Sequence, residues 1–220
     1  MTNDGKNPTA ADVLMLTGEH CSYCAPMKKL LTELKSEGYV GKLSFVSIEQ
    51  NAELARELGV RSVPWLQIGP FELTGSHTRR ELLKWLTRAA QADGIREYLE
   101  QVLSEGDIDA AKKLVQRLPG ALDNIIQLMA DANAKINVRL GVGVIIEDMA
   151  ESDAFKTVIP KLEVLLKDAD ARVRGDACHY LSLTREPSVM VAIEALLDDD
   201  SPEVREIAQE SLEALRPVAS

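Results

Sequence analysis

The 220-residue chain has few aromatic residues, no long apolar run and no surplus of positive charge. Aromatic residues make up 4% of the composition, which argues against a large all-β protein, because strands are enriched in them. No window approaches the roughly 18 continuous apolar residues that a membrane span needs. With 25 Lys and Arg against 35 Asp and Glu, the net charge is −10. We therefore expect neither nucleic acid nor an anionic membrane as a partner.

Cysteine is also scarce, since the chain contains only Cys21, Cys24 and Cys178. Three cysteines are too few for a disulfide scaffold, and in a reducing compartment a close pair indicates redox or metal chemistry. Cys178 is expected to be a buried, unreactive thiol, with a regulatory or substrate thiol as the alternative. The first residues are polar, and the apolar run 13–16 is too short for the core of a signal peptide. We predict a cytoplasmic protein with a disordered segment at residues 1–10.

Charged and aromatic residues divide the chain near residue 93. Residues 1–93 contain 11 basic and 11 acidic side chains, so the whole net charge belongs to residues 94–220. Most of the aromatic residues, in contrast, precede residue 94. The division predicts two domains, an α/β domain over residues 11–92 and an all-helical domain over residues 93–217.

The predicted α/β domain alternates short apolar runs with segments of helical periodicity. Apolar and β-branched runs at residues 13–16 and 43–48 predict strands, with a helix between them. Further along, the pattern predicts a helix over residues 52–58, strands over 65–68 and 71–74, and a helix over 79–90. The order β-α-β-α-β-β-α predicts a mainly parallel sheet covered by helices, with a terminal hairpin as an antiparallel edge.

The helical half contains an internal repeat. Shifting the sequence by 31 residues aligns 158–181 with 189–212 and gives nine identities in 24 positions. A fixed period of helix, acidic turn and helix is typical of a solenoid, because each helix pair buries its apolar face against its neighbours. The turn-to-helix segments 168–174 and 199–205 resemble HEAT repeats. The resemblance implies an α-solenoid of about four helix pairs that binds a protein, and its acidity suggests a basic partner.

The segment Cys21-Ser22-Tyr23-Cys24 follows the first predicted strand and begins the first predicted helix. At a helix N-terminus, unpaired N–H groups and the positive end of the dipole stabilise a thiolate. Cys21 is therefore the expected nucleophile, and Cys24, one turn further, is the expected thiol that resolves a mixed disulfide. His20 is a candidate for tuning the pKa of the Cys21 thiol, with an exposed histidine of no catalytic role as the alternative.

Val63-Pro64 lies directly before the predicted hairpin, where a trans proline would deprive the sheet of a donor. We predict a cis bond that presents the Val63 backbone to a substrate beside the cysteines. The strand, the cysteine pair, the helix and Ser62-Val63-Pro64 together resemble the thioredoxin superfamily over roughly residues 11–92. The resemblance implies an enzyme that exchanges dithiols with protein disulfides, with Cys21 as nucleophile, Cys24 as resolver and Pro64 as the cis-proline.

The thioredoxin resemblance also implies which residues bind the substrate, and it leaves the reductant and the function open to alternatives. Tyr23, Val63 and Pro64 are the expected substrate-binding residues, and Tyr23 looks like its counterpart in glutaredoxins. Glutathione is therefore an alternative reductant, although Glu19 and His20 stand where glutaredoxins usually carry a basic residue. No other cofactor is expected, and no metal, because zinc requires four ligands and a second cysteine pair is lacking. The competing function is a non-enzymatic adaptor in which the cysteine pair is a redox switch that alters what the solenoid binds.

Overall fold

The computed structural model describes residues 10–216, and its internal contacts divide the chain into two compact units, residues 1–97 and 98–220. The prediction of disorder for residues 1–10 lies outside the described residues, apart from Ala10. In the part of the chain that is described, no helix is long and apolar enough to cross a membrane.

The first unit is a small α/β structure with the predicted element order. Its strands are β1 (Ala11–Thr17), β2 (Val40–Ser47), β3 (Trp65–Ile68) and β4 (Phe71–Thr74). Its helices are α1 (Cys24–Ser36), α2 (Ala52–Glu57) and α3 (Arg79–Ala90). The hairpin strands and α3 begin and end at the predicted residues. Thr78 caps α3, because its hydroxyl accepts from the Glu81 N–H while the Glu81 carboxylate accepts from the Thr78 N–H.

The sheet is mixed, so the prediction of a mainly parallel sheet was wrong. The strand order is β2-β1-β3-β4, and β1 pairs parallel with β2 but antiparallel with β3, which pairs antiparallel with β4. If β3 were parallel to β1, the chain would have to cross back over the sheet after β2, to the end of the sheet at which β1 begins. Helix α2 cannot provide this crossover, because its six residues rise only about 9 Å and none of them is buried. β3 therefore begins at the end of the sheet where β1 ends.

The core of the first unit lies between one face of the sheet and helices α1 and α3. Alternate residues of β1 and β3 point to this face, as the two-residue period of a strand requires. The fully buried side chains at this interface are Met15, Leu31, Leu34, Leu66, Ile68 and Leu82. Each such burial stabilises the fold by roughly 1.5–3 kcal/mol. The packing fixes α1 against the sheet and so fixes the position of its N-terminus.

The regular structure of residues 98–216 is entirely helical. From residue 94 onward the helices are α4 (Gly94–Ser104), α5 (Ile108–Arg117), α6 (Leu122–Ala130), α7 (Ile136–Met149), α8 (Asp153–Lys156), α9 (Ile159–Leu165), α10 (Ala171–Leu183), α11 (Met190–Glu194) and α12 (Pro202–Leu215). Short 3₁₀ turns occur at Pro119–Ala121, Pro187–Val189 and Ala195–Asp198. Helices α6 and α7, α9 and α10, and α11 and α12 pack as successive pairs.

The 31-residue repeat has a structural counterpart in the last two pairs. The N-caps of α10 and α12 are Asp170 and Ser201, which occupy matching positions, and each side chain accepts a backbone N–H of the first turn. The apolar residues shared by the two repeats at the second helix are buried in both: Val173 and Val204, Ala177 and Ala208, Leu181 and Leu212. Matching positions of the two repeats thus provide the N-caps and the core, as a solenoid requires.

An ion pair links the two repeats. The Arg174 guanidinium donates to both carboxylate oxygens of Asp199 at 2.8 and 2.7 Å and to the Asp168 carbonyl at 2.9 Å. The Arg174 and Asp199 side chains are only 14% and 8% exposed. Hydrogen bonds from Arg174 hold the pKa of Asp199 below its usual value. Within each repeat the arginine also donates to the carbonyl of the aspartate, Arg174 to Asp168 and Arg205 to Asp199, and this contact recurs with the repeat.

Cys178 lies in α10 and is fully buried, which confirms its predicted burial. Burial raises the pKa of its thiol to about 11. Its sulfur is 3.7 Å from the Ser211 hydroxyl of α12. The matching residue of the next repeat is Gln209, a polar residue, so the repeat alone would have favoured an exposed position.

Candidate functional site

The two remaining cysteines meet between the end of β1 and the beginning of α1. Cys21 and Cys24 form a disulfide. The Cys21 N–H donates to the Gly18 carbonyl at 3.3 Å, and the Cys24 N–H donates to the Cys21 carbonyl at 3.2 Å. These successive turns carry the chain from the sheet into the helix. They place Cys24 at the first residue of α1 and Cys21 before the helix, whereas the sequence predicts Cys21 at the helix start and Cys24 one turn inside.

The two cysteines differ in exposure. Cys24 is 4% exposed and belongs to the core cluster of the first unit, beside Met27 and Met15. Cys21 is half-buried and packs on the rim of the same cluster, and Tyr23 is 66% exposed. The sulfur of Cys21 is therefore the more accessible to a partner. Cys24 can be reached mainly from Cys21.

The N-terminus of α1 favours negative charge at the cysteines. The N-cap residue, Tyr23, makes no side-chain hydrogen bond to the helix, and the first turn contains no acidic residue. The positive end of the helix dipole is thus not neutralised by a carboxylate in the first turn. A thiolate at the helix start would face this positive end.

Val63 and Pro64 lie beside the cysteine segment. Their peptide bond is cis, as predicted. Because β3 is antiparallel to β1, Trp65 pairs with Leu16, and the residues before Trp65 lie next to the residues after β1. A Cβ atom added to Gly18 would lie 3.1 Å from a methyl carbon of Val63. The strand direction that the sequence mispredicted is therefore what brings Val63 and Pro64 to the site.

The backbone of Val63 is open to a further partner. The Pro64 carbonyl accepts the Gly75 N–H at 2.8 Å. Within residues 10–216, no hydrogen bond occupies the N–H or the carbonyl of Val63. Val63 itself is half-buried and packs on the cluster that contains Cys24. An extended chain placed beside Cys21 would thus find an unpaired donor and acceptor at Val63.

Glu49 is a residue of this site that the sequence analysis missed. Its carboxylate accepts the Glu19 N–H at 2.9 Å and the Ser47 hydroxyl at 2.5 Å, so it holds the segment before Cys21. The bond from Ser47, followed by that from Glu19, lowers the pKa of the Glu49 carboxyl. Ser47 pairs with Thr17 in the parallel register of β1 and β2. Glu49 could have been identified only from this strand pairing, because Thr17 and Ser47 lie 30 residues apart in the chain.

His20 is exposed and directly precedes Cys21. No hydrogen bond joins its ring to either cysteine sulfur in the described part of the chain, so its influence on the Cys21 pKa stays a prediction. Its charge, when present, lies near the carboxylate of Glu49. Among residues 10–216, no three His, Cys, Asp or Glu side chains are grouped as metal ligands would be.

Comparison with known protein families supports the prediction of repeats in the helical unit. Residues 122–213, less than half of the chain, match the family model of HEAT repeats. Such repeats generally mediate protein–protein interaction, so the match indicates a protein-binding solenoid in this region. No curated protein sequence matches the chain. For the first unit, the small mixed sheet and the Cys21–Cys24 pair suggest a thioredoxin-like fold only in outline.

Proposed function

We propose that this protein is a thiol–disulfide oxidoreductase with a thioredoxin-like domain over residues 11–92 and a protein-binding HEAT solenoid over residues 93–217. The observation that carries the proposal is the unequal exposure of two disulfide-bonded cysteines at the start of a helix. Cys21 is accessible and Cys24 is buried. A dithiol that reduces other disulfides needs this difference, because one sulfur attacks the substrate and the other attacks only its neighbour.

The reaction balances as two successive exchanges. The Cys21 thiolate attacks one sulfur of a substrate disulfide; that S–S bond breaks, and the other substrate sulfur leaves as a thiolate and takes up a proton. The Cys24 thiolate then attacks the Cys21 sulfur of the mixed disulfide and releases the second substrate sulfur as a thiolate. The substrate gains two electrons, and the protein ends with the Cys21–Cys24 disulfide. An external dithiol, or two molecules of glutathione, returns it to the reduced form.

The neighbouring residues have roles that follow from their positions. The unpaired backbone of Val63, fixed by Pro64, would hydrogen-bond an extended substrate segment, and the exposed Tyr23 ring would contact it. His20 would raise the thiolate fraction of Cys21 when the imidazole is protonated. No cofactor other than glutathione enters the proposal. A reducing compartment such as the cytoplasm, which the low cysteine count favours, would supply the reductant.

The solenoid would select the substrate or hold the enzyme in a complex. Its negative charge, which accounts for the whole net charge of the chain, favours a basic protein partner. The non-enzymatic alternative keeps the same disulfide but gives it no turnover, so that oxidation and reduction only alter what the solenoid binds.

Insulin reduction by the full chain tests the proposal, with dithiothreitol in one series and glutathione in another. We expect turnover that depends on protein concentration and is abolished by Cys21→Ser. Cys24→Ser should lose turnover and accumulate a mixed disulfide at Cys21, which mass spectrometry detects. Cys178→Ala is the matched control, since Cys178 is the third cysteine and lies outside the site; it should retain turnover.

Each outcome distinguishes the two functions. Turnover that survives Cys21→Ser would overturn the assignment of the nucleophile. A protein that forms the Cys21–Cys24 disulfide reversibly, yet shows no turnover with either reductant, would overturn the oxidoreductase proposal in favour of the redox-switched adaptor. Efficient turnover with glutathione would favour the glutaredoxin-like alternative, and turnover with dithiothreitol alone would favour a dithiol as the reductant.

A further inference from the structure

Helix α7 presents an apolar stripe to solvent. Ile136, Leu140 and Val144 are 66%, 64% and 39% exposed. Their spacing of four residues places them on one face of the helix, along about 12 Å of its length. The opposite face contains the buried residues Val138 and Val142. α7 is thus already packed in the helical unit, and the stripe is additional apolar surface without a partner in the described residues.

Carboxylates continue the same face beyond the stripe. Glu147 follows Val144 by three residues and Leu140 by seven, so it lies on the same side of α7. It lines a cavity of about 390 Å³ together with Glu151, Ser182 and Leu183. A second cavity, of about 340 Å³, shares Ser182 and Leu183 and adds the carboxylate of Glu210. The two cavities share Ser182, Leu183 and Ala214 and so adjoin as one groove, which runs between α10 and α12 and reaches the C-terminal ends of α7, α10 and α12 in its first part.

The charged side chains that line this groove are mostly carboxylates. None of the three helices carries a basic residue in its last turn, although helix C-termini favour cations. Arg185 lines the groove but pairs with Glu151 at 2.9 Å. No ion pair occupies Glu147 or Glu210 in the described residues. A ligand that brings positive charge would therefore meet unpaired carboxylates and the negative ends of three helices.

We infer that the α7 stripe and the adjoining groove bind a basic amphipathic helix of a partner protein. Apolar residues of that helix, spaced three or four apart, cover Ile136, Leu140 and Val144, and its Lys or Arg side chains one or two turns further lie over Glu147 and Glu210. The inference rests on the proposed role of the solenoid in binding a protein and specifies its partner. A second copy of this chain is a poorer occupant, because the groove and the helical half are both acidic.

Fluorescence anisotropy with the full chain tests the inference. The probe is a labelled, cysteine-free peptide of about 20 residues, with Leu at helical spacing in its first half and with Lys and Arg on the same face one or two turns further. We expect saturable binding that weakens with salt. A scrambled peptide of the same composition should bind at least about tenfold more weakly, because it lacks an apolar face. Since the probe has no cysteine and the assay no reductant, failure here leaves the exchange reaction untouched.

Matched variants locate the site. Leu140→Ser should lower the affinity about tenfold, whereas Val164→Ser, which changes an equally exposed apolar residue on α9, should leave it unchanged. Glu147→Gln should weaken binding and reduce its salt dependence, and Glu194→Gln, an exposed carboxylate outside the groove, should do neither. Equal effects of Leu140→Ser and Val164→Ser, or equal binding of the scrambled peptide, would overturn the inference. A dimer by sedimentation that Leu140→Ser dissociates would assign the stripe to a second copy instead.

Discussion

Replacement of Asp199 by Asn tests how much the ion pair between the two repeats stabilises the helical unit. Exposed ion pairs contribute about 0–1 kcal/mol, and loss of one partner from a fully buried pair costs about 3–5 kcal/mol. Arg174 and Asp199 are 14% and 8% exposed, which lies close to the buried limit. The variant keeps an acceptor for one hydrogen bond, however, and Arg174 keeps its bond to the Asp168 carbonyl. We therefore expect a loss of about 2 kcal/mol in the free energy of unfolding.

Thermal unfolding followed by far-ultraviolet circular dichroism measures this loss. For a unit the size of residues 98–220, a loss of about 2 kcal/mol corresponds to a decrease of roughly 8 °C in Tm. Asp198→Asn is the matched control, because it removes the same charge from an exposed neighbour, and it should shift Tm by less than about 2 °C. Equal decreases in Tm for the two variants would show that the change in net charge, and not the loss of the pair with Arg174, lowers the stability.

The same pair predicts a dependence on pH. Hydrogen bonds from Arg174 lower the pKa of Asp199 in the folded state, so the unfolded state takes up a proton first as the pH falls. The stabilisation is complete above the unfolded pKa of about 3.9 and is lost as the pH falls through the folded pKa. The difference in stability between the native protein and Asp199→Asn should be constant above about pH 5 and shrink below about pH 4. A difference that persists unchanged in acid would refute the ionic interpretation.

Two further predictions concern the cysteines and the segment before them. Glu49→Ala should increase hydrogen exchange at the Glu19 amide about tenfold or more, because this N–H loses its acceptor. Glu49→Gln should retain most of the protection. Mass spectrometry or NMR measures the exchange, and equal rates in the native protein and both variants would contradict the contact. In the reduced native protein at pH 8, iodoacetamide should modify Cys21 and spare Cys178, because burial raises the pKa of the Cys178 thiol to about 11. Peptide mapping detects the modified residues, and comparable labelling of Cys178 before unfolding would show that its burial is not maintained.

The order of the elements could be predicted from the sequence, but the direction of one strand could not. Gly69 and Pro70 marked the hairpin, and apolar periodicity marked α3, so their bounds were predicted correctly. The direction of β3 depends on whether the preceding helix crosses the sheet. Residues 52–58 have helical periodicity, yet they form a short helix without a buried residue. Periodicity reports that a helix forms and does not report whether that helix packs on the sheet.

The same limit applies to the candidate site. Cys21 and Cys24 are adjacent in the chain, so their pairing at a helix start could be predicted from local pattern. Glu49 could not, because its contact with the Glu19 N–H depends on the register of two strands. The exposed stripe on α7 was equally invisible, since Leu140 fits the apolar composition of a core helix. Which face of a helix is covered depends on its neighbours in space.

The antiparallel direction of β3 overturns the prediction of a mainly parallel sheet and accounts for the position of Val63 and Pro64 beside the cysteine segment. A β3 parallel to β1 would begin at the opposite edge of the sheet and carry Val63 and Pro64 away from the cysteines. In the antiparallel sheet, Trp65 pairs with Leu16, and the segment before it lies against Gly18. The resemblance predicts Val63 and Pro64 beside Cys21, whereas a mainly parallel sheet would separate them from it. The mixed sheet removes that inconsistency, because it brings the unpaired backbone of Val63 to the segment that leads from β1 into Cys21.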